Sequence, residues 1–134
     1  MIAGCHHVGL VVDDYVRTVE FYRDVLGGEV TTETDVDEKV RVAFVDLPDH
    51  AVEVIVREER GTELDDLLDV LRERSDYHVA YVVPDVEAAM VALEREGYRL
   101  FDETPVEGLG PYVRAFVHPA DVPGIPVELV ELDG

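Results

Sequence analysis

Two short runs constrain this chain more than anything else in it. "HVGLVV" begins at His7, and "HVAYVV" begins at His78. Each is an apolar run headed by a histidine, and each opens the same series of signals. In the first copy Val8 to Val12 reads as a strand, and Asp13 or Asp14 as a helix cap. Val16, Val19, Phe21, Tyr22, Val25 and Leu26 then recur at helical spacing until Gly27 and Gly28 stop the helix. In the second copy Val79 to Val83 is the strand and Asp85 the cap. Val86, Ala89, Met90 and Leu93 form the helix face, and Gly97 is the stop. His7 precedes Gly27 by 20 residues, and His78 precedes Gly97 by 19. A repeat of this kind predicts two copies of one supersecondary unit packed together.

The parallel continues through three more strands in each half. The first half offers a strand near Glu29–Thr34, a second ending at about Leu47, a turn at Pro48-Asp49-His50, and a third over Val52–Val56. The second half offers one near Arg99–Asp102, one ending at Val117, a Pro/Gly-rich turn, and one over Val127–Val130. Between the halves, "TELDDLLDVLRER" is an inserted amphipathic helix. Thr62 caps it, and Leu64, Leu67, Leu68 and Leu71 lie on one face. The expected organisation is therefore one domain over 1–134. It comprises a first module over 5–57, the inserted helix over 58–75, and a second module over 76–134.

Side chains alternate across a strand. His7, Gly9 and Val11 share one face of the first strand, and His78, Ala80 and Val82 share one face of its copy. The small residue beside each histidine leaves room above the sheet. Glu53 sits inside "AVEVIV" and Glu128 inside "VELVE". A carboxylate in such apolar company is costly unless it is paired or bound to metal. His7 and His78 are 71 residues apart, and Glu53 and Glu128 are 75 apart. Taken singly, each has a bland explanation as a hydrogen-bonded core residue or a solvated strand residue. Taken together, at matching places in both halves, they predict two imidazoles and two carboxylates converging on one metal ion. Mixed nitrogen and oxygen ligation suits cobalt, manganese, nickel, iron or zinc. By the same alternation His6 faces away from His7, at the surface or a strand edge. His50 falls in a turn, and His118 precedes Pro119 in a structural role. Asp65, Asp66 and Asp69 read as a solvated helix face.

The charge balance bears on partners. Thirty-one acidic residues oppose 11 basic ones, a formal net charge of −20 over 134 residues. Such a surface repels nucleic acid and anionic membranes. It folds most comfortably where salt screens it, which predicts a salt-loving source. No apolar run is long enough to span a bilayer, and the start of the chain lacks a basic and apolar leader. The lone Cys5 agrees with a reducing compartment, so a cytoplasmic protein is expected.

At these residues the chain resembles the vicinal oxygen chelate superfamily, which includes glyoxalase I, methylmalonyl-CoA epimerase and the extradiol dioxygenases. "HHVGLVVDDYVRTVEFYRDVLGG" is similar to the family's opening strand and helix, with its "FY" and "LG" elements. The resemblance implies an α+β fold of two paired βαβββ modules, their mixed sheets curled around a metal cleft. It implies His7, Glu53, His78 and Glu128 as ligands of a divalent cation.

Within the superfamily the tail "AFVHPADVPGIPVELVE" and the inserted helix resemble the methylmalonyl-CoA epimerases. Tyr77-His78 stands where that group favours a histidine pair, and Ala120-Asp121 stands where it has a basic residue. The implied chemistry is proton abstraction beside a carbonyl through a metal-stabilised enolate. Glu128 would act as one base and Asp37 or Glu38 as a second. The implied substrate is a small molecule, a CoA thioester among the candidates, and the implied assembly is a homodimer. A glyoxalase I-like lyase, with Glu53 and Glu128 flanking the substrate, is the alternative. An extradiol-type dioxygenase or a drug-binding protein of the bleomycin resistance type would be others.

Overall fold

The computed structural model describes residues 1–133. The first half runs β1 (Gly4–Val11), α1 (Tyr15–Glu20), a π-helical turn (Phe21–Val25), β2 (Glu29–Val36), β3 (Val40–Asp46) and β4 (Ala51–Arg57). Then comes α2 (Asp65–Arg74). The second half runs β5 (Tyr77–Val82), α3 (Val86–Arg95), β6 (Val106–Glu107), β7 (Tyr112–Phe116), a 3-10 turn (Pro119–Asp121) and β8 (Val127–Leu132).

The predicted aspartate caps of α1 and α3 are in place. Oδ1 of Asp14 accepts from the Arg17 amide at 3.0 Å, and Oδ1 of Asp85 accepts from the Ala88 amide at 3.0 Å. Gly27 and Gly97 end the two helical segments at φ 80° and 91°, where a side chain is strained.

All eight strands form one mixed sheet in the order β2-β3-β4-β1-β5-β8-β7-β6. β1 and β5 pair antiparallel at its centre, and each pairs parallel with the last strand of its own half. The duplication is visible residue by residue. Across the centre His7 faces Ala80 and Gly9 faces His78. Within the halves Gly9 faces Glu53 and Ala80 faces Glu128. Phe44 faces Glu53 as Phe116 faces Glu128.

Both faces of the central strands are covered, so they read as nearly continuous apolar runs. On one face Tyr15 and Val19 of α1 pack on Ala43, Val52, Val54 and Val56. Val86, Ala89 and Met90 of α3 pack on Ala115 and Leu129 in the matching place. On the other, Val40, Val42, Phe44, Ile55 and Val130 meet Leu64 and Leu68 from the α2 segment. Burial of Leu68 and Leu71, each 2% exposed, contributes about 1.5–3 kcal/mol apiece.

Three expectations need correction. The first strand after α3 is not near Arg99–Asp102. Leu100 makes only an isolated bridge to Val117, and the strand is the two-residue β6. In α1 only Tyr15 and Val19 are buried, whereas Val16, Phe21, Val25 and Leu26 are exposed. The π-helical turn breaks the period on which a single apolar face was based. Thr62 caps the turn before α2 rather than α2 itself, its hydroxyl accepting from the Leu64 amide at 3.2 Å. Among the described residues no helix is long and apolar enough to cross a membrane.

Candidate metal centre

His7, Glu53, His78 and Glu128 meet on the inner face of the sheet, drawn from β1, β4, β5 and β8. All are buried, at 0, 3, 2 and 3% exposure. One donor atom from each lies within 4.8 Å of all the others. Nε2 of His7 is 3.3 Å from Oε1 of Glu53 and 3.0 Å from Oε1 of Glu128. Nε2 of His78 is 3.5 Å and 3.2 Å from the same two oxygens.

These approaches are short, yet they are not aligned as hydrogen bonds. Among the described residues, Nε2 of both histidines and Oε1 of Glu128 are buried without a hydrogen-bond partner. Buried polar atoms are rarely left so. With metal–ligand bonds of about 2.1 Å, neighbouring donors sit about 3.0 Å apart at right angles and about 3.4 Å apart in a tetrahedron. The four histidine–glutamate spacings, 3.0 to 3.5 Å, match those of neighbouring donors around one cation. The donor set of two neutral nitrogens and two anionic oxygens also suits a divalent ion.

The electrostatics show what the cluster lacks without a cation. Burial pushes the His7 imidazolium toward losing its proton. The charge of Glu53 and the short contacts with Glu128 and Glu53 outweigh that and carry its pKa up to about 10. Burial acts on His78 in the same direction, and Glu128 and Glu53 again reverse it. Burial favours the neutral acids at Glu53 and Glu128, but the two histidines hold both below the ordinary carboxylate range. Two carboxylates thus call for positive charge at one buried point. Protons on the imidazoles supply it when no metal does.

Gly9 leaves room for an imidazole, though for that of the facing strand. A Cβ on Gly9 would fall inside the His78 ring. The two imidazole rings stand edge to face, their centres 5.6 Å apart. Phe116 packs against His78 at 5.2 Å, and Phe44 packs against His7 at 5.4 Å.

His6 is not where strand alternation puts it. The β1–β5 register shifts between Cys5 and His7, and His6 is half-buried with its Nδ1 2.7 Å from Nδ1 of His7. A bulge re-aims a side chain in this way. For Nε2 of His7 to present a lone pair to a cation, its proton must sit on Nδ1. The acceptor there is Nδ1 of His6, which burial and the neighbouring His7 both keep toward the neutral form.

Three of the four, Glu53, His78 and Glu128, line a cavity of about 360 Å³, and His7 is not among its lining residues. Leu64, Leu67, Leu68 and Leu71 wall it on the α2 side, and Phe101, Leu109 and Phe116 wall it on the β7 side. Tyr112 also lines it, its phenol pushed up by burial and by the charges of Glu53 and Glu128. Glu63, Asp102, Glu107 and Arg114 bring polar groups to the walls. Asp37 and Glu38 are not among the lining residues. Both are exposed in the turn between β2 and β3, at φ 52° and 59°. The inner face of β3 presents Val40, Val42 and Phe44 instead. Asp65 and Asp69 do more than face solvent, since Arg57 reaches both and ties α2 to β4.

A family profile described as the Glyoxalase/Bleomycin resistance protein/Dioxygenase superfamily matches residues 6–116. The ethylmalonyl-CoA/methylmalonyl-CoA epimerase of Cereibacter sphaeroides is 31% identical, with 98% of this chain and 100% of that one aligned. The methylmalonyl-CoA epimerase of Mycobacterium tuberculosis superposes with a TM-score of 0.81 at 27% identity, covering 99% of this chain and 90% of that one. A variant of the Streptomyces coelicolor methylmalonyl-CoA epimerase in complex with 2-nitronate-propionyl-CoA shares the fold. Its TM-score is 0.83 at 24% identity, with 100% of both chains covered.

Proposed function

The chain belongs to the Glyoxalase/Bleomycin resistance protein/Dioxygenase superfamily, and from that premise we propose that it is a metal-dependent epimerase acting on a methylmalonyl-CoA-like thioester. The observation that carries this reading is the convergence of four buried donors, three of them with an unpartnered atom, beside a largely apolar cavity that Glu53, His78 and Glu128 line. His7, Glu53, His78 and Glu128 are the proposed ligands. A divalent cation held by them would supply a Lewis acid that stabilises negative charge on a carbonyl oxygen as the neighbouring carbon loses its proton.

The chain's own groups do the rest. Glu128 is proposed to take the proton on an Oε atom. Glu53 approaches the same two histidines from the other half of the sheet and is proposed to serve as the second proton carrier. Asp37 and Glu38 are exposed and do not line the cavity, so they do not enter this scheme. The leucines of α2 and the rings of Phe101 and Phe116 keep bulk water from the reacting carbon. Tyr112 adds an uncharged phenol to the wall.

A glyoxalase-type lyase is the second reading, favoured by the paired carboxylates that flank one point from opposite halves. A dioxygenase of the two-histidine, one-carboxylate kind would leave one of the two glutamates without a task. The proposal includes a homodimer, for which the exposed Val16, Phe21, Val25 and Leu26 offer apolar surface, and a cytoplasmic, salt-rich setting.

The test loads the protein separately with cobalt, manganese, nickel, iron and zinc. It then follows deuterium entry from heavy water at the α-carbon of methylmalonyl-CoA, beside a hemithioacetal assay. Metal-dependent exchange that Glu128→Gln abolishes is expected. Hemithioacetal turnover without exchange would replace the epimerase with the lyase. Exchange at the wild-type rate in Glu128→Gln would remove that residue as base.

A further inference from the structure

The residues lining the cavity are buried or half-buried with two exceptions. Among the described residues, Glu63, in the turn before α2, and Glu107, on the edge strand β6, are the only lining residues that stand exposed. They mark the mouth, and both are acids. The guanidinium in the wall does not offset them. Nη1 of Arg114 donates to Oδ2 of Asp102 at 3.0 Å, and that pair carries no net charge. His78, the other basic group on the lining, belongs to the metal centre.

A cavity of about 360 Å³ is at the lower end of the range for drug-sized ligands. It takes the acyl end of a CoA thioester, while the nucleotide with its phosphates stays outside, past Glu63 and Glu107. Two like unit charges about 10 Å apart in water weaken binding about twofold before screening. Two mouth carboxylates facing several phosphate charges compound this to about 10-fold or more. Salt removes the effect, because the screening length falls from about 30 Å at about 0.01 M to about 3 Å at about 1 M. A mouth built to draw in a polyanion would carry exposed Arg or Lys, and among the described lining residues there is none.

We propose that Glu63 and Glu107 make the mouth a salt-dependent filter for the substrate's carrier. They oppose the phosphates of a CoA thioester at low ionic strength and admit them once mobile cations screen the carboxylates. Capture of the substrate then depends on salt separately from folding. The inference rests on the CoA-thioester reading above for the identity of the carrier. Charges at the rim of a binding surface act in this way, setting encounter and its salt dependence more than the contacts made afterwards.

The test compares methylmalonyl-CoA with methylmalonyl-pantetheine, which share the acyl group and differ in the nucleotide phosphates. Calorimetry on the metal-loaded full chain follows both from the lowest salt at which its melting curve shows it folded up to about 1 M KCl. Glu63→Gln with Glu107→Gln removes the charge of the mouth. Glu87→Gln with Glu94→Gln changes the net charge equally on α3, which packs on the opposite face of the sheet. Wild-type affinity for methylmalonyl-CoA should rise about 10- to 100-fold with salt, and that for methylmalonyl-pantetheine less than about threefold. At low salt the mouth variant should bind methylmalonyl-CoA about 5- to 10-fold more tightly than wild type, and at high salt within about twofold. The α3 variant should stay within about twofold of wild type throughout.

An affinity for methylmalonyl-CoA that is flat or falls with salt overturns the proposal. So does a mouth variant that binds no better than the α3 variant. Failure of both thioesters to bind at every salt overturns this inference and the epimerase reading together. The expected salt response in a protein that shows no deuterium exchange would sink the epimerase reading alone. Exchange without a salt response would sink this inference alone.

Discussion

Adding one methyl group at residue 9 should disable the centre from the opposite strand. Gly9 lies directly across from His78, and nothing in the backbone conformation there demands glycine. The demand comes from space, because a Cβ would occupy the His78 ring. That ring cannot simply turn aside. It is 2% exposed, with Phe116 5.2 Å away on one side and His7 5.6 Å away on another. Gly9→Ala must therefore displace His78 from the cluster or push β1 and β5 apart. Overpacking of this kind costs about 1–3 kcal/mol, a fall in melting temperature of roughly 3–15 °C for a chain of this size. Loss of one ligand should weaken metal binding by at least about 100-fold, more than loss of an outer-shell partner does. Gly4→Ala is the control, since a Cβ there meets nothing within 4 Å. Metal content by mass spectrometry and melting curves with and without chelator read the two effects apart. Stoichiometric metal and an unchanged melting temperature in Gly9→Ala would refute the packing argument.

The remaining predictions concern charge and the partners of the centre. In chelator-treated protein the raised His7 and His78 contribute stability below their ordinary value of 6.5, and that stability is lost as pH rises through about 10 for His7. The lowered Glu53 and Glu128 contribute above their ordinary value of 4.5, and that part is lost as pH falls. Metal-free protein should thus be most stable between about pH 4.5 and 6.5, whereas metal affinity should climb with pH as the imidazoles deprotonate; urea melts across pH and metal titrations check both, and a metal-free optimum above pH 8 would contradict them. His6→Phe removes the acceptor for the Nδ1 proton of His7 and should weaken metal binding by about 10- to 100-fold with the fold intact, as read by competition with a chromogenic chelator; unchanged affinity would deny His6 that part. The net charge of −20 should make thermal stability rise between low and molar salt, as the screening length shrinks from about 10 Å to about 3 Å. Equal melts would remove the argument for a salt-rich setting.

Much of the fold and the four centre residues could be read from the sequence because duplication made weak signals count twice. A lone histidine at a strand start says little. His7 and His78, with Gly9 and Ala80 beside them and Glu53 and Glu128 at matched distances, say a great deal. What stayed hidden depends on departures from regular periods. His6 is re-aimed by a register shift that no residue type announces. Phe21, Val25 and Leu26 follow a helical period that the π-helical turn interrupts. The strand placed near Arg99 rested on the repeat, but this part of the second half makes only one bridge before β6. Arg114 was legible in principle. It alternates with Tyr112 and Phe116 on β7, yet an arginine in a strand has no reason to be read inward until Asp102 is seen behind it. The family resemblance implies Asp37 or Glu38 as a second base, but sequence distance does not tell the tip of a hairpin from the cavity wall, and both stand exposed in the β2–β3 turn.

The central claim is that two imidazoles and two carboxylates hold one cation. X-ray absorption on the cobalt-loaded protein tests it most directly. A nitrogen and oxygen shell at about 2.1 Å, with outer scattering from two imidazole rings that falls to one in His78→Asn, is the predicted result. Scattering from fewer than two rings in the wild type, or a spectrum that His78→Asn leaves unchanged, would contradict it.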